Sequence, residues 1–273
     1  MKGSVVNFIG FFIVLGSIST VAEESTDRSR VRRDIFGRDT RKRIPLHLLE
    51  KYPFSAIVRV GEHCTGTLIW YKHVITAAHC VHHGKKWYNF MPKSILKAGL
   101  LQDDGSTRWI GVENIMIPPA WIRNQGTSGL PYDYAILELK QPHGRRWMPF
   151  GVGNLRPNDY IQFAGFPGDK RANELWYTYC TVRKTNYHTI SNYCDATFGM
   201  SGSGVYTFNK AENKPRKLIG VFSANLKTSR FFGWIKESQN IAVRLTPQKV
   251  YSICNAMGAG KRCEKLTRYR RYY

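Results

Sequence analysis

Short runs of β-branched and aromatic residues, separated by turn residues, fill this sequence from position 54 onward. This alternation constrains the fold more than any other feature, because such runs form strands and the Gly, Pro, Asn and Asp between them form turns. Helical periodicity is almost absent. The pattern therefore predicts an all-β barrel or sandwich. The predicted strands cover residues 54–60, 66–70, 73–77, 93–100, 109–117, 134–139, 160–165, 175–182, 204–208, 218–223 and 241–245.

Two further features organise this β-rich region. Residues 141–159 contain three prolines and three glycines, which predicts a connection between two halves. Near the end, Thr246 is a good N-cap, Pro247 suits the first helical position and Gly258 is a stop signal. One C-terminal helix is therefore predicted after the strands.

The first 22 residues have the composition of a secretory signal peptide. Lys2 supplies a positive start, residues 5–15 are mainly apolar, and small residues at 20–22 offer a cleavage site. The alternative, a membrane anchor, is disfavoured because the apolar run falls short of the roughly 20 residues that a spanning helix needs. No later stretch is long and apolar enough to cross a bilayer. The sequence predicts a secreted, extracellular protein without a membrane span.

An oxidising extracellular location implies that the six cysteines form disulfides. They fall into three groups of two that are close in sequence, so nearest-neighbour pairing is predicted. The alternative, free buried thiols, suits a cytosolic protein better. Neither Cys-x-x-Cys nor a cysteine–histidine spacing typical of metal sites is found, so no metal or other cofactor is predicted. The predicted pairs are Cys64–Cys80, Cys180–Cys194 and Cys254–Cys263.

The formal net charge is +22, of which +18 remains from position 44 onward. A field of this size attracts polyanions, and the obvious extracellular ones are sulfated glycosaminoglycans. A heparin-like glycosaminoglycan is therefore a predicted partner. Nucleic acid is the weaker alternative and is not predicted, because no recognition motif is present. The first candidates for contact lie in the basic tail at 258–273: Lys261, Arg262, Lys265, Arg268, Arg270 and Arg271.

Residues 23–43 form a polar segment with eight Lys or Arg side chains. A basic run is usually a solvated segment, but the position between a signal peptide and the first strand favours a pro-segment removed by a furin-type convertase. Two cleavage sites are open. The quartet Arg30–Arg33 fits the preference of that convertase best, and cutting after it would leave Asp34 as the new N-terminus, whereas cutting after Arg43 would leave Ile44.

A Gly- and Ser-rich turn at 199–204 is the first candidate for chemistry. Glycine permits φ > 0 and close backbone approach, so Ser201 can be presented with neighbouring N–H groups converging on one point, as attack on a carbonyl requires. Alone, such a cluster is usually only a loop. A serine nucleophile also needs a base and a group that orients the base. The candidates are His79, in Thr-Ala-Ala-His-Cys, and Asp133, at the head of Asp-Tyr-Ala-Ile-Leu.

With these motifs in the order His79, Asp133, Ser201, the chain resembles the chymotrypsin-like (trypsin-like) serine proteases over about residues 44–257. It is most similar to the secreted serine protease 23 and 35 branch, with features of the glutamyl-endopeptidase-like branch. The resemblance implies two six-stranded antiparallel β-barrels, at about 44–140 and 159–245, with the catalytic side chains between them. It also implies that Cys80 pairs with the cysteine 16 residues earlier, which is Cys64.

The same resemblance implies a role for each catalytic residue on a protein or peptide substrate. His79 would take the proton of Ser201 and return it to the leaving amine, and Asp133 would hold His79 in the required tautomer. The N–H groups of Gly199 and Ser201 would form the oxyanion hole.

Two residues are assigned to substrate binding. Ser223 resembles the residue that lines the pocket and binds substrate backbone, with an ordinary strand serine as the alternative. Asp195, six residues before Ser201, has the offset of the carboxylate that binds Lys or Arg in trypsins. The cysteine spacing around it differs, and a solvent-exposed or ion-paired aspartate is the alternative.

Activation departs from the digestive proteases. These carry an aspartate just before the nucleophile, which binds the new N-terminus after cleavage, whereas Met200 stands there in this chain. A thioether cannot bind an ammonium group. Activation by N-terminal insertion is therefore not expected.

Two functions from different classes remain open. The first is a secreted serine endopeptidase that works through an acyl-enzyme. The second is a catalytically silent homologue that binds extracellular matrix or polyanions through its basic surface. The intact set of three motifs favours the enzyme.

Overall fold

Two antiparallel β-barrels carry most strands of this computed structural model, which describes residues 33–83, 91–124, 128–209, 214–229 and 236–260. Within those ranges the strands are β1 (Arg33–Asp34), β2 (Lys42–Arg43), β3 (Ile57–Val60), β4 (Cys64–Trp70), β5 (His73–Thr76), β6 (Lys97–Leu101), β7 (Thr107–Met116), β8 (Ala135–Leu139), β9 (Tyr160–Gly165), β10 (Trp176–Thr185), β11 (Thr189–Asn192), β12 (Ala196–Thr197), β13 (Gly204–Asn209), β14 (Lys214–Ser229) and β15 (Lys236–Arg244). The helices are α1 (Pro119–Arg123) and α2 (Pro247–Ala256), and short 3-10 helices cover Leu46–Leu48, Phe54–Ala56, Ala78–Cys80 and Leu130–Tyr132.

The first barrel closes in the strand order β3-β4-β5-β8-β7-β6. Its interior is filled by aliphatic side chains that are fully excluded from solvent: Val58, Leu68, Ile75, Leu100 and Leu137. Burying one such side chain contributes about 1.5–3 kcal/mol. Closure also removes the free strand edges that an open sheet would expose. The barrel is therefore stabilised by its own strands.

The second barrel contains β9, β10, β11, β15, β14 and β13, and the pairing of β10 with β11 closes it. Phe163 and Phe222 stack in its core with ring centroids 5.0 Å apart. The pairing of β14 with β15 shifts register between Phe222 and Ala224, so Ser223 is the extra residue of a β-bulge. A bulge redirects a side chain out of the strand alternation. The predicted all-β fold with two six-stranded barrels is confirmed.

Helix α2 follows the second barrel, as predicted. The hydroxyl of Thr246 accepts a hydrogen bond from Lys249 N (3.3 Å) at its start, and Gly258 takes a positive φ of 64° after its end. Val250 and Ile253 on this helix are buried in the same core cluster as the first barrel. The helix therefore returns the C-terminal chain to the first barrel.

All eleven predicted strand segments overlap strands of the structure. Strand β11 was not predicted, because Thr-Ile-Ser-Asn is too short and too polar to show a strand pattern. It forms because it can pair on both sides, with β10 and with β15. Pairing with the two neighbouring strands, rather than local sequence, therefore determines that these residues form a strand.

The packed chain begins upstream of the predicted domain start at Ile44. Residues 34–43, which we call the N-terminal arm, lie on the second barrel: β1 pairs with β12, and β2 pairs with β10. The N–H of Ile44 donates to Leu175 O (2.8 Å). Residues 1–32, with the predicted signal peptide and the first ten residues of the predicted pro-segment, lie outside the described residues, as does the tail from 261 to 273.

Two of the predicted disulfides are present in the structure. Cys64–Cys80 joins β4 to the 3-10 helix after β5, and Cys180–Cys194 joins β10 to the chain after β11. Closing loops of this length stabilises a fold by about 3 kcal/mol in the chain-entropy account. The third predicted pair includes Cys263, which lies outside the described residues. In the part of the chain that is described, no helix combines the length and apolar character needed to cross a membrane.

Candidate active site

His79 lies on a 3-10 helix at the end of strand β5. The strand is buried in the first barrel, and the chain turns immediately after Thr76, which places the histidine at the barrel rim. The Cys64–Cys80 disulfide ties the next residue to β4. The side chain of His79 is 37% exposed. A rigid backbone therefore presents an accessible imidazole.

Asp133 meets His79 from the segment between the 3-10 helix Leu130–Tyr132 and strand β8. Its Oδ1 accepts a hydrogen bond from His79 N (2.9 Å), and its Oδ2 lies 2.7 Å from His79 Nδ1. The Ser223 hydroxyl donates to Oδ2 as well, which gives the carboxylate its third hydrogen bond. The β-bulge in β14 makes this contact possible. The carboxylate is only 3% exposed. With Nδ1 bound to a carboxylate, Nε2 is left as the proton acceptor of the imidazole.

The two side chains shift each other's pKa in opposite directions. Burial alone would lower the pKa of His79, but the charge of Asp133 and the hydrogen bond to it outweigh burial and raise this pKa above 6.5. Burial alone would raise the pKa of Asp133, but His79 and the Ser223 hydroxyl hold that pKa below its usual value. The pair therefore combines an ionised carboxylate with a strengthened imidazole base.

Ser201 lies on the turn between β12 and β13. Gly199 and Gly202 have φ values of 94° and 86°, which side-chain-bearing residues rarely adopt. A Cβ on Gly199 would overlap Phe166 O, and one on Gly202 would overlap Thr65 O. The turn can therefore approach both neighbouring segments only because these two positions are glycine.

The turn between β12 and β13 carries Ser201, the candidate nucleophile, and we call it the nucleophile turn. It lies directly against the first barrel. Thr65 N donates to Ser201 O (2.9 Å), and the Sγ of Cys80, the residue after His79, lies 3.7 Å from the same oxygen. Among the described residues, no hydrogen bond joins Ser201 Oγ to His79. Such bonds are often long in unliganded sites and shorten when substrate binds. The structure thus places the backbone of Ser201 beside the residue that follows His79 and forms the His79–Asp133 pair directly.

Two backbone amides next to the candidate nucleophile, Ser201, donate no hydrogen bond within the described chain. Met200 N donates to Thr197 O (3.1 Å), whereas the N–H groups of Gly199 and Ser201 have no acceptor within the described chain. Two such amides on one tight turn are the groups that an oxyanion hole uses. The buried thioether of Met200 points into the second barrel's core cluster. It offers nothing to a charged N-terminus.

Thr65 was not singled out from the sequence, although it connects the two barrels. Its hydroxyl donates to Gly199 O (2.8 Å) and accepts from Phe166 N (3.1 Å). Thr67, two residues along β4, accepts from Gly204 N (3.0 Å). A Thr-x-Thr pattern in a strand carries no catalytic signal by itself, so only the three-dimensional contacts reveal this role.

Asp195 is placed differently from a substrate-binding carboxylate. It is buried, and its oxygens accept hydrogen bonds from Phe36 N (2.8 Å), Thr40 N (2.8 Å) and Thr40 Oγ1 (2.6 Å). All three donors belong to the N-terminal arm. The carboxylate is therefore engaged by the protein's own chain, and the trypsin-like offset to Ser201 does not leave it open to a Lys or Arg side chain.

Ser223 is also placed by a contact that the sequence did not predict. Its hydroxyl is buried and donates to Asp133, so this side chain orients the carboxylate. Cys64, His79 and Cys80 bring potential metal-binding atoms within 4.8 Å of one another. Because the two cysteines form a disulfide, they cannot act as thiolate ligands. This cluster therefore does not form a metal site.

Comparison with known sequences agrees with this geometry. The family model described as Trypsin matches residues 48–231. Serine protease 23 of Mus musculus is 38% identical in an alignment of 262 positions that covers 85% of this chain and 66% of that protein. Inactive serine protease 35 of Homo sapiens is 32% identical in an alignment of 287 positions that covers 82% of this chain and 68% of that protein. The chain spans about two thirds of the length of these relatives.

A solved structure gives the same fold. The chain matches the one described as "Structure of Glu endopeptidase in complex with MPD" with a TM-score of 0.65 and 21% identity, over 82% of this chain and 99% of that chain. The predicted resemblance to chymotrypsin-like proteases and to serine proteases 23 and 35 is confirmed. The family model spans more than half of the sequence. The two barrels, the His79–Asp133 pair and the Ser201 turn agree with it. This chain therefore belongs to the trypsin family.

Proposed function

We propose that this protein is a secreted serine endopeptidase in which Ser201, His79 and Asp133 hydrolyse peptide bonds through an acyl-enzyme. The observation that supports this most is the carboxylate of Asp133, which accepts hydrogen bonds from His79 N, His79 Nδ1 and Ser223 Oγ. A buried aspartate held at both oxygens beside a half-exposed histidine fixes the imidazole for base catalysis.

In the proposed mechanism, His79 Nε2 takes the proton of Ser201 as Oγ attacks the carbonyl carbon of the substrate. The carbonyl oxygen becomes an oxyanion and accepts hydrogen bonds from Gly199 N and Ser201 N. His79 then gives its proton to the leaving amine, and the acyl-enzyme forms. Water repeats the sequence and releases the acid. Losing one oxyanion donor typically costs about 2.7–4 kcal/mol in the transition state.

A second candidate function is a catalytically silent homologue. One relative, 32% identical, is named inactive serine protease 35, so the fold does not by itself guarantee activity. In this chain the serine, histidine and aspartate positions are all occupied by the residues that the chemistry needs. The endopeptidase is therefore favoured.

The extracellular setting of this activity is part of the same proposal. The predicted signal peptide, the disulfides and the +22 net charge support a secreted protein that a convertase processes and that binds heparin-like glycosaminoglycans. Binding to a heparin column should weaken with salt, because salt screens exposed charges. Elution at low salt, or unchanged retention after deletion of residues 264–273, would contradict binding through the tail.

Active-site labelling tests the enzymatic function directly. The full chain, secreted from cultured cells, would be treated with a fluorophosphonate probe, which reacts only with an activated serine. We expect wild type to take the label and Ser201→Ala to lose both label and peptide hydrolysis. Ser203→Ala, two residues along the same turn and buried, is the matched control and should keep the label. Wild type without label would favour the silent homologue.

A further inference from the structure

The N-terminal arm contains a buried arginine whose hydrogen bonds are all satisfied. The side chain of Arg41 is 0% exposed. Its Nη1 and Nη2 donate to the two oxygens of Asp169 (2.9 and 2.7 Å), its Nε and Nη2 donate to Asp39 (2.9 and 2.8 Å), and Nη1 also donates to Thr197 Oγ1 (3.1 Å). All five N–H donors of the guanidinium therefore have acceptors. This is the fork geometry that favours Arg over Lys.

Arg41 joins two segments that meet at the nucleophile turn. Asp169 follows Gly168, whose N–H donates to Phe198 O (2.6 Å). Thr197 begins the turn itself, since its carbonyl accepts from Met200 N (3.1 Å), and its hydroxyl also donates to Asp169 (2.9 Å). The arginine thus holds together the two stretches of chain that enclose Gly199, one of the two oxyanion donors.

The rest of the arm binds the same turn from a second direction. The Asp195 carboxylate, two residues before Thr197, is held by Phe36 N and by the N–H and hydroxyl of Thr40. Strand β1 adds a backbone pairing between Asp34 and Ala196. The entrance to the nucleophile turn is therefore fixed by the arm at Asp195, Ala196 and Thr197.

We infer that the N-terminal arm orders the oxyanion hole, with Arg41 as the positioning residue, and that the arm must therefore stay attached in the mature protein. This rests on the proposed endopeptidase function. Met200 is buried and apolar, so an ion pair between a new N-terminus and the residue before Ser201 cannot order the turn. Arg41 supplies an internal positive charge instead, through Asp169 and Thr197.

The arm also distinguishes the two convertase sites. Cleavage after Arg43 would cut between β2, which pairs with β10, and Ile44, whose N–H donates to Leu175 O. The arm would then be released, because it has no cysteine that could hold it by a disulfide. Cleavage after Arg33 leaves Arg41, Thr40 and Phe36 in place. The productive site is therefore the one after Arg33, and the mature chain begins at Asp34.

Kinetics of two pairs of variants test the positioning role in the full secreted chain. Arg41→Met and Thr197→Val remove the connection, and we expect each to lower kcat about 100-fold while KM changes less than about threefold, because misplaced oxyanion donors affect only the transition state. Arg41→Lys and Thr197→Ser keep a donor or a hydroxyl and should recover part or most of kcat. Arg43→Gln is the matched control, since Arg43 is half-exposed and pairs only with Glu174 in the described chain; it should stay within about twofold of wild type.

The outcomes separate this inference from the proposed function. Fluorophosphonate titration gives the fraction of active sites, and thermal unfolding followed by circular dichroism shows whether each variant is folded. If Arg41→Met does not fold, Thr197→Val, which keeps the side-chain volume, decides the question. An active wild type with an equally active Thr197→Val overturns the inference alone. A folded wild type that takes no label overturns the proposed function, and the inference with it.

Sequencing the N-terminus of the secreted protein tests the cleavage site. We expect Asp34 as the first residue, and we expect Arg33→Gln to prevent processing while Arg43→Gln does not. A fully active mature protein that begins at Ile44 would show that the arm is dispensable and would overturn the inference.

Discussion

The two halves of the proposed active site are held in different ways. The base half is fixed mainly by the first barrel: His79 lies on the barrel rim, its neighbour is in a disulfide with β4, and Asp133 lies just before β8. One contact comes from the second barrel, the hydrogen bond from Ser223 to Asp133.

The nucleophile half is held within its own barrel, where Gly202 N donates to Phe222 O and Phe222 N donates to Ser203 O. It is also held from outside that barrel, by Thr65 of β4 and by the N-terminal arm. Contacts within the first barrel and one disulfide predominate in the first half, whereas the second half depends in addition on contacts with the other barrel and with the N-terminal arm. Substitutions should therefore act on the two halves through different partners.

Asp133→Asn should produce the largest effect, a loss of about 10⁴-fold in kcat, because the amide would favour the wrong tautomer of His79. The measurement is peptide hydrolysis by secreted protein normalised to folded concentration. Asp159→Asn, in an exposed turn where the carboxylate accepts from Arg156 N, serves as the control and should be neutral. A loss of less than tenfold in Asp133→Asn would mean that the base half does not depend on this contact.

Gly199→Ala should have the next largest effect. The added Cβ would overlap Phe166 O at a φ of 94°, so the turn must move and the oxyanion donors move with it. We expect kcat to fall about 10²–10³-fold. Gly144→Ala is the matched control, because Gly144 also has a positive φ, 75°, but no atom lies within 4 Å of the position that an added Cβ would take. Equal losses in both variants would point to backbone strain rather than to the turn.

Thr65→Val tests the contact between the barrels. It removes the hydroxyl that donates to Gly199 O and accepts from Phe166 N, and leaving such buried groups unpaired costs about 1–3 kcal/mol. We expect kcat to fall about tenfold, and Thr65→Ser to restore it. If Thr65→Val lowers the melting temperature but leaves kcat unchanged, the first barrel does not support the nucleophile turn.

The pH profile of kcat/KM should show the smallest effect. His79 must be neutral to accept the Ser201 proton, and Asp133 raises the pKa of His79 above 6.5. Activity should therefore fall on the acid side with a midpoint above pH 6.5. Ser223→Ala removes a hydrogen bond that lowers the pKa of Asp133, and the acid limb should then move. A midpoint below pH 6.5 in wild type would contradict the His79–Asp133 coupling.

The sequence predicted the base half better than the nucleophile half, for a physical reason. His79 and Asp133 lie in short motifs next to strands whose β-branched residues are easy to recognise, and the barrels follow from the same strand pattern. Two partners of Arg41, Asp169 and Thr197, are 128 and 156 residues away, so in the sequence its basic run has the appearance of a solvated segment.

The same limit applies to Asp195 and to β11. Asp195 has the offset of a pocket carboxylate, but the arm that engages it cannot be read from spacing. Strand β11 is stabilised by pairing on both edges rather than by its own composition. In each case the determining partner is distant in sequence, and only packing brings it close.

The N-terminal arm has a consequence for the order of events during biosynthesis. The ribosome makes Phe36 and Arg41 before any strand of either barrel, yet Asp195 and Thr197, to which they bind, emerge more than 150 residues later. The first barrel can close with strands that are already synthesised, whereas the arm has to wait for the second. Long-range contacts of this kind form late, because the chain must first lose the entropy of closing a long loop. We expect the nascent chain to remain without peptidase activity until the N-terminal arm docks, as the last step of folding.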